Sequence, residues 1–157
     1  MKKVTKDERR KHKRYLVKNR IFAVVRSQNH RLHRISNLSK GEIAFAIIRS
    51  NPPKMGEIKE ISQNGLSFHY INKGSNQTQY KGQSKMDEMD ILFVDENFHL
   101  RRIPFKIIGD TAIPKDGPFS TLAMNRLTVQ FEDLTVEQMN LLNHMIQNFT
   151  TGEVPLA

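Results

Sequence analysis

The sequence contains no cysteine, and this absence excludes several kinds of protein at once. Without thiols there is no disulfide framework, no thiolate zinc site and no cysteine nucleophile, which fits a reducing compartment. Long hydrophobic runs are also missing, since the longest is the six-residue stretch from Ile43 to Ile48. Such a run is far too short to span a bilayer. The charged N-terminus has no apolar segment behind it, as a secretory signal would, so we expect a cytoplasmic protein without membrane insertion.

Negative charge is scarce at the start of the chain. The 157 residues are enough for one domain with a hydrophobic core, and their net charge is +9. Residues 1–34 hold 13 of the 25 Lys and Arg residues but only two acids, Asp7 and Glu8, so this segment carries +11 and the remainder −2. A nearly neutral body with a basic arm attracts phosphates, whether on nucleic acid, on a nucleotide ligand or at a membrane surface.

Short apolar runs separated by turn residues predict a mainly β protein, a sandwich or a barrel. The acidic run Asp87, Glu88 and Asp90 is expected in a solvated loop. We expect a flexible basic arm over residues 1–14, a β domain with a terminal helix over 15–150, and a tail over 151–157. The predicted strands are Phe22–Arg26, Leu32–Ile35, Ile43–Ile48, Met55–Ile61, Leu66–Ile71, Asp90–Val94, Phe98–Ile108 and Leu127–Phe131.

The C-terminal region predicts one amphipathic helix over residues 135–149. Thr135 and Gln138 have the spacing of a capping box, in which each side chain bonds to the other residue's backbone N–H. Apolar residues then recur at helical spacing, so we expect one face of the helix to be buried in the core. That face consists of Val136, Met139, Leu142, Met145, Ile146 and Phe149.

An internal repeat lies between the arm and the middle of the chain. Residues 22–44 match residues 45–67 without a gap, with six identities and a conserved apolar pattern. Each unit reads as strand, turn, strand, turn, which predicts an extra antiparallel hairpin that either widens the barrel or projects from it. The turns at residues 37–42 and 60–65 would then lie at the arm's end of the sheet, roughly 10 Å apart.

Two short motifs point to a ligand. Arg10 and Arg14 are four residues apart within the basic arm, and Glu60-Ile61-Ser62-Gln63-Asn64-Gly65 combines an acid, a serine and a glycine at a predicted turn. Together they resemble the RxxxR and [D/N]xSxxG signatures of the PilZ-domain family. The resemblance extends over residues 9–149, because a Gly-Leu-x-Phe run at 65–68 and a late strand before one helix also fit that family.

The resemblance implies an antiparallel β-barrel that binds the bacterial second messenger cyclic di-GMP. It implies that Arg10 and Arg14, with the adjacent Arg9, hold guanine and phosphate, that Ser62 and Gly65 form the opposing turn, and that Glu60, at the acidic position of the motif, also contacts the ligand. Arginine suits this role because its planar fork pairs with guanine O6 and N7 or with phosphate oxygens. No other cofactor and no metal is implied.

The motif departs from the family pattern in both copies of the repeat. The second copy has Glu60 where the family has Asp or Asn. The first copy retains Asn37 and Ser39, but Glu42 stands at the position of the final glycine. Either copy is therefore a candidate, and the conserved Gly65 favours the second because glycine permits a close backbone approach or a positive φ.

Three functions remain open at this level. The first is a non-enzymatic cyclic di-GMP receptor whose arm closes on the ligand and changes a surface that a downstream protein recognises. The second is a PilZ-like interaction module that has lost the ligand, as the altered motifs suggest. The third, a nucleic-acid-binding barrel, is the least expected because the paired motifs favour a nucleotide. No catalytic motif is recognisable, so we do not expect an enzyme.

Overall fold

The computed structural model describes residues 12–26, 54–72, 87–114 and 123–155. Within these residues the chain forms eight strands, one short 3-10 turn at residues 94–96 and one α-helix. In chain order they are β1 (Tyr15–Val17), β2 (Phe22–Arg26), β3 (Lys54–Ser62), β4 (Gly65–Ile71), β5 (Glu88–Phe93), β6 (Phe98–Ala112), β7 (Met124–Phe131), α1 (Val136–Asn148) and β8 (Thr150–Glu153).

Six of the strands close into an antiparallel barrel in the order β2-β5-β6-β7-β4-β3. The barrel closes because β2 also pairs with the first half of β3, from Phe22 opposite Glu57 to Val25 opposite Lys54. This architecture confirms the mainly β prediction and the antiparallel barrel with a C-terminal helix. Closure leaves these six strands without a free sheet edge over the paired residues.

Two short strands extend the sheet outside the barrel. The second half of β3 pairs with β1, in a register that places Tyr15 opposite Ile61 and Leu16 opposite Glu60. The other edge of β1 pairs with β8. Residues 150–153, at the boundary between the predicted domain and its tail, are therefore part of the sheet, and they secure the segment that follows the basic arm.

The core follows the period of two that the strand sequences predict. Alternate residues of β4 and β7 point inward, and the core is filled by these and by apolar side chains from the other strands. The largest fully buried side chains are Phe68, Ile21, Ile58, Ile61, Met89, Ile91, Leu100, Ile103, Leu127, Leu142 and Met145. The alternation breaks on β6 at the irregularity between the Met89–Ile103 and Ile91–Leu100 pairs, where Arg101 and Arg102 are both exposed between two buried residues.

Helix α1 begins at the predicted capping box. The Thr135 hydroxyl accepts a hydrogen bond from the Gln138 backbone N–H, and the Gln138 side chain accepts one from the Thr135 N–H, both at 3.0 Å. Leu142, Met145 and Phe149 are buried as predicted, but Val136 is 75% exposed and Met139 is exposed as well. The first turn is held by the Gln138 side-chain amide, which donates to β6 carbonyls, and not by its apolar side chains. No helix in the described part of the chain is long and apolar enough to cross a membrane.

The outer strands of the duplicated segment are direct neighbours in the barrel. β2 pairs with β3 on one edge, from Phe22 opposite Glu57 to Val25 opposite Lys54, and with β5 on the other edge. The two inner predicted strands, Leu32–Ile35 and Ile43–Ile48, lie outside the described residues.

Candidate functional site

The turn between β3 and β4 contains the second copy of the predicted motif. Its two central residues are Gln63 and Asn64, and the flanking Ser62 and Gly65 form the last pair of the ladder. The Ser62 hydroxyl donates to Asn64 Oδ1 at 2.6 Å and accepts from the Asn64 N–H at 3.3 Å. Side-chain bonds of this kind stabilise tight turns. Ser62 is thus a turn-forming residue, and it is one of the residues that line the pocket described below.

Gly65 is required by a close approach between β4 and β7. A Cβ atom at this position would lie 2.2 Å from the carbonyl oxygen of Val129, far inside van der Waals contact. Of the two reasons that the sequence offered for a glycine, the structure supports the close approach. Any larger residue would push β7 away from the turn and deform this part of the barrel surface.

Arg14 lies next to this turn, and together they line a shallow pocket of about 130 Å³. Tyr15 on β1 pairs with Ile61 on β3, so Arg14 lies directly before the first pair of this ladder. The Arg14 carbonyl accepts a hydrogen bond from the Val154 backbone N–H at 2.8 Å. The pocket is lined by Arg14, Glu60, Ile61, Ser62, Asn64, Gly65, Leu66, Ser67, Ile108, Thr128, Val129 and Gln130. Four of the predicted site residues therefore lie together: Arg14, Glu60, Ser62 and Gly65.

The remaining predicted site residues, Arg9, Arg10, Asn37 and Ser39, lie outside the described residues. The pocket itself is smaller than the clefts of about 300–1,000 Å³ that enclose drug-sized ligands. A ligand as large as a cyclic dinucleotide would therefore extend across the outer face of the barrel, with only part of it in the pocket. Within the described ranges no three His, Cys, Asp or Glu residues are grouped so that they could hold a metal ion.

Glu60 is engaged by an arginine that the sequence analysis missed. Its carboxylate pairs with Nη2 of Arg126 on β7, and the same nitrogen donates to Ser67 Oγ at 3.0 Å. The alternating pattern placed the strand at Leu127–Phe131, so Arg126 lay just before its predicted start. The β4–β7 register sets Ser67 opposite Thr128. Only this pairing of strands reveals that Arg126 reaches across β4 to Glu60.

The outer face around Glu60 has a positive electrostatic environment. The pKa of His69, which lies opposite Arg126 on β4, is lowered first by burial and then by the positive charges of Lys59 and Arg126. A histidine in such surroundings resists taking up a proton because the protonated ring would repel the neighbouring cations. Together with Arg14 at the pocket, these side chains favour an anionic ligand over a cationic one.

A second carboxylate cluster lies inside the barrel wall, where the sequence analysis expected a solvated loop. Asp90 is fully buried on β5, and Asp87, just before this strand, is buried as well, so this acidic run is not a solvated loop. Asp90 accepts hydrogen bonds from Arg26 Nη2 at 2.8 Å, from His99 Nε2 at 2.7 Å and from the Arg102 backbone N–H at 3.1 Å. Burial alone would raise the pKa of Asp90, but the bond from His99 and the charge of Arg26 outweigh it and lower this pKa overall.

The fold is similar to that of MrkH. One solved structure, described as MrkH, a novel c-di-GMP dependence transcription regulatory factor, superposes with a TM-score of 0.54 at 12% sequence identity, covering 90% of this chain and 51% of that chain. A second, of the K. pneumonia MrkH–c-di-GMP complex, gives a TM-score of 0.55 at 11% identity, covering 88% of this chain and 51% of that one. At such low sequence identities the comparison establishes only the fold, which is PilZ-like.

The sequence comparisons do not assign a family, since no family model and no curated protein matches the chain. The chain spans about half the length of the MrkH chains that it matches. Because MrkH is described as a transcription regulatory factor, the expectation that nucleic acid is an unlikely partner gains no support from this comparison.

Proposed function

We propose that this chain is a non-enzymatic cyclic di-GMP receptor. The observation that carries the proposal is the pocket in which Arg14 meets the Glu60–Gly65 turn on a PilZ-like barrel. The likeness to a protein solved in complex with c-di-GMP supports the same ligand. In this proposal Arg10 and Arg14 bind guanine and phosphate, Arg9 adds positive charge, and the turn formed by Ser62 and Gly65 faces them.

The proposed mechanism relies on the basic arm over residues 1–14 and the barrel domain over 15–150. A bidentate arginine–guanine pair contributes about 1–3 kcal/mol of base discrimination, which is enough to select guanine over adenine. Binding orders the arm across the pocket and thereby changes the surface offered to a downstream protein. The ends of β1 and β8 secure the base of the arm, because Val154 binds the Arg14 carbonyl.

The first experiment is isothermal titration of the purified chain with cyclic di-GMP, with GTP as the control nucleotide. We expect saturable binding of cyclic di-GMP only, and a loss of at least about tenfold in affinity for Arg10→Ala and for Arg14→Ala. Arg101→Ala is the matched control, since Arg101 is an exposed arginine seven residues along β6 from Ile108, roughly 20 Å from the pocket. Unchanged affinity in both arm variants, with the fold intact by circular dichroism, would refute the receptor.

The choice between the two motif copies is tested by Ser62→Ala and Ser39→Ala. We propose that the second copy forms the site because Ser62 and Gly65 border the same pocket as Arg14. Ser62→Ala should weaken cyclic di-GMP binding while Ser39→Ala leaves it unchanged. The reverse result would assign the ligand to the first copy.

A second candidate function is an interaction module that no longer binds the nucleotide. The pairing of Glu60 with Arg126 favours it, because an acceptor that the family motif supplies to the ligand is already occupied within the protein. This candidate predicts that a partner protein is captured equally well with and without cyclic di-GMP. Capture that depends on cyclic di-GMP would exclude it.

Nucleic acid is the third candidate, favoured by the +11 charge of residues 1–34 and by the description of MrkH as a transcription regulatory factor. Phosphate contacts made by such an arm would give an affinity that falls steeply with salt. A mobility-shift titration with duplex DNA at low and at physiological salt tests it. Absence of a shift at low salt would remove this candidate.

A further inference from the structure

Arg126 has hydrogen-bond donors that the described part of the protein does not use. Both of its bonds, to Glu60 and to Ser67, come from Nη2. A guanidinium carries five N–H donors, so Nη1 and Nε retain donors for a further acceptor. The side chain is 39% exposed, and it contacts two residues that line the pocket, Glu60 and Ser67. Arg126 is therefore accessible at the edge of the proposed site.

Glu60 presents to Arg126 the same chemistry as a ligand phosphate. Carboxylate and phosphate oxygens both accept charge-assisted hydrogen bonds from the arginine fork. Glu60 lies opposite Leu16 on β1, two residues after Arg14, so its negative charge lies between the two arginines of the pocket region. An anionic ligand that approaches Arg14 therefore meets Glu60 as a competitor for Arg126.

We propose that Arg126 is a phosphate-binding residue of this pocket and that Glu60 is an internal anion which occupies it until a ligand phosphate displaces it. This inference rests on the proposed receptor function and adds to it a residue outside both sequence motifs. The pair is suited to exchange because it is partly exposed, and exposed ion pairs contribute little to stability.

The inference predicts opposite effects for the two members of the pair. Glu60→Gln keeps the size of the side chain but removes the competing charge, and it should tighten cyclic di-GMP binding about tenfold. Arg126→Gln removes the phosphate donor and should weaken binding about tenfold. Matched controls are Glu96→Gln and Arg101→Gln, both exposed and outside the pocket, and neither should change the affinity.

The experiment is isothermal titration of the full chain and these four variants with cyclic di-GMP, with the melting temperature of each as a folding check. If the unmodified chain binds but Glu60→Gln fails to tighten or Arg126→Gln fails to weaken binding, the inference is wrong while the receptor function stands. If only Glu60→Gln binds, no ligand displaces Glu60 in the unmodified chain, and both the displacement and the receptor function are overturned. Absence of binding in every folded variant overturns both.

Discussion

The Arg26–Asp90 pair and the Arg126–Glu60 pair each join strands of the same barrel, but their surroundings differ. The side chains of Asp90 and Arg26 are 0% and 10% exposed, whereas those of Glu60 and Arg126 are 15% and 39% exposed. Asp90 has three hydrogen-bond donors around its two oxygens, including a histidine and a backbone N–H. Glu60 has one described partner, Arg126.

This difference separates a structural ion pair from one suited to ligand exchange. A buried carboxylate that loses its partners pays the full cost of desolvation, so the Asp90 cluster cannot open without destabilising the barrel. A partly exposed pair loses little when it opens, because water and other ions replace the partner. The two pairs therefore use the same residue types, while burial decides which of them is available for binding.

The largest expected effect is at the buried pair. Asp90→Ala leaves Arg26 buried without its carboxylate partner and should lower the free energy of unfolding by about 3–5 kcal/mol. Urea unfolding followed by circular dichroism measures this loss, with an unchanged m-value showing that the same transition is observed. A loss below about 1 kcal/mol would mean that the buried pair resembles the exposed one, and the comparison would fail.

The second-largest effect is expected at Gly65, and it tests whether the backbone near the Glu60–Arg126 pair is rigid. Gly65→Ala places a methyl group against the Val129 carbonyl and should cost about 1–3 kcal/mol. Gly152→Ala on β8 is the matched control, because a Cβ atom there meets nothing within 4 Å. Its free energy of unfolding should stay within about 0.5 kcal/mol of the unmodified chain. Equal losses in both variants would show that close approach is not what requires Gly65.

The pH dependence of the free energy of unfolding gives a further test of the buried Arg26–Asp90 pair. The pKa of Asp90 is lower in the folded protein than its usual value, so its carboxylate contributes stability at pH values above about 4. That contribution is lost as the pH falls through the folded-state pKa, because the unfolded chain then binds the proton more readily. Asp90→Asn should therefore show a weaker decline of stability between neutral and acidic pH, measured by urea unfolding at several pH values. An unchanged decline would contradict this role.

The smallest effect on stability is expected at the exposed pair. Glu60→Gln should change the free energy of unfolding by no more than about 1 kcal/mol, since the Arg126 side chain is 39% exposed and water can replace the carboxylate as its partner. Urea unfolding of this variant beside Asp90→Asn compares two carboxylate-to-amide changes that differ mainly in burial. A loss at Glu60 as large as that at Asp90 would make the Glu60–Arg126 pair structural and unsuited to exchange.

Much of the fold was predictable because its signals are local. Alternating residues in Leu66–Ile71 and Leu127–Phe131 identified strands that the structure contains, and the Thr135–Gln138 capping box identified the start of the helix. One prediction about the helix was wrong. Val136 and Met139 have the spacing of a buried face, but both are exposed, and the first turn of α1 is instead bonded to β6 carbonyls through Gln138.

The candidate site was predictable only in part. The motifs identified Arg14, Glu60, Ser62 and Gly65, which the structure brings to one pocket. Arg126 and the burial of Asp90 were missed, since no spacing in the sequence relates Arg126 to Glu60 or Asp90 to Arg26. Those pairs are 66 and 64 residues apart along the chain.

The sequence by itself determined where the six barrel strands and the helix lie, but not β1 and β8; it also determined that the charge is concentrated near the start of the chain and that one turn needs a glycine. These properties depend on residues close together in the chain, through the period of a strand, the hydrogen bonds of a cap and the sum of nearby charges. Only the tertiary structure decided which carboxylate is buried with its arginine and which remains exposed beside a pocket. Strand order and register are set by the packing of the whole barrel. They bring residues from distant segments together and determine how exposed each one is to solvent.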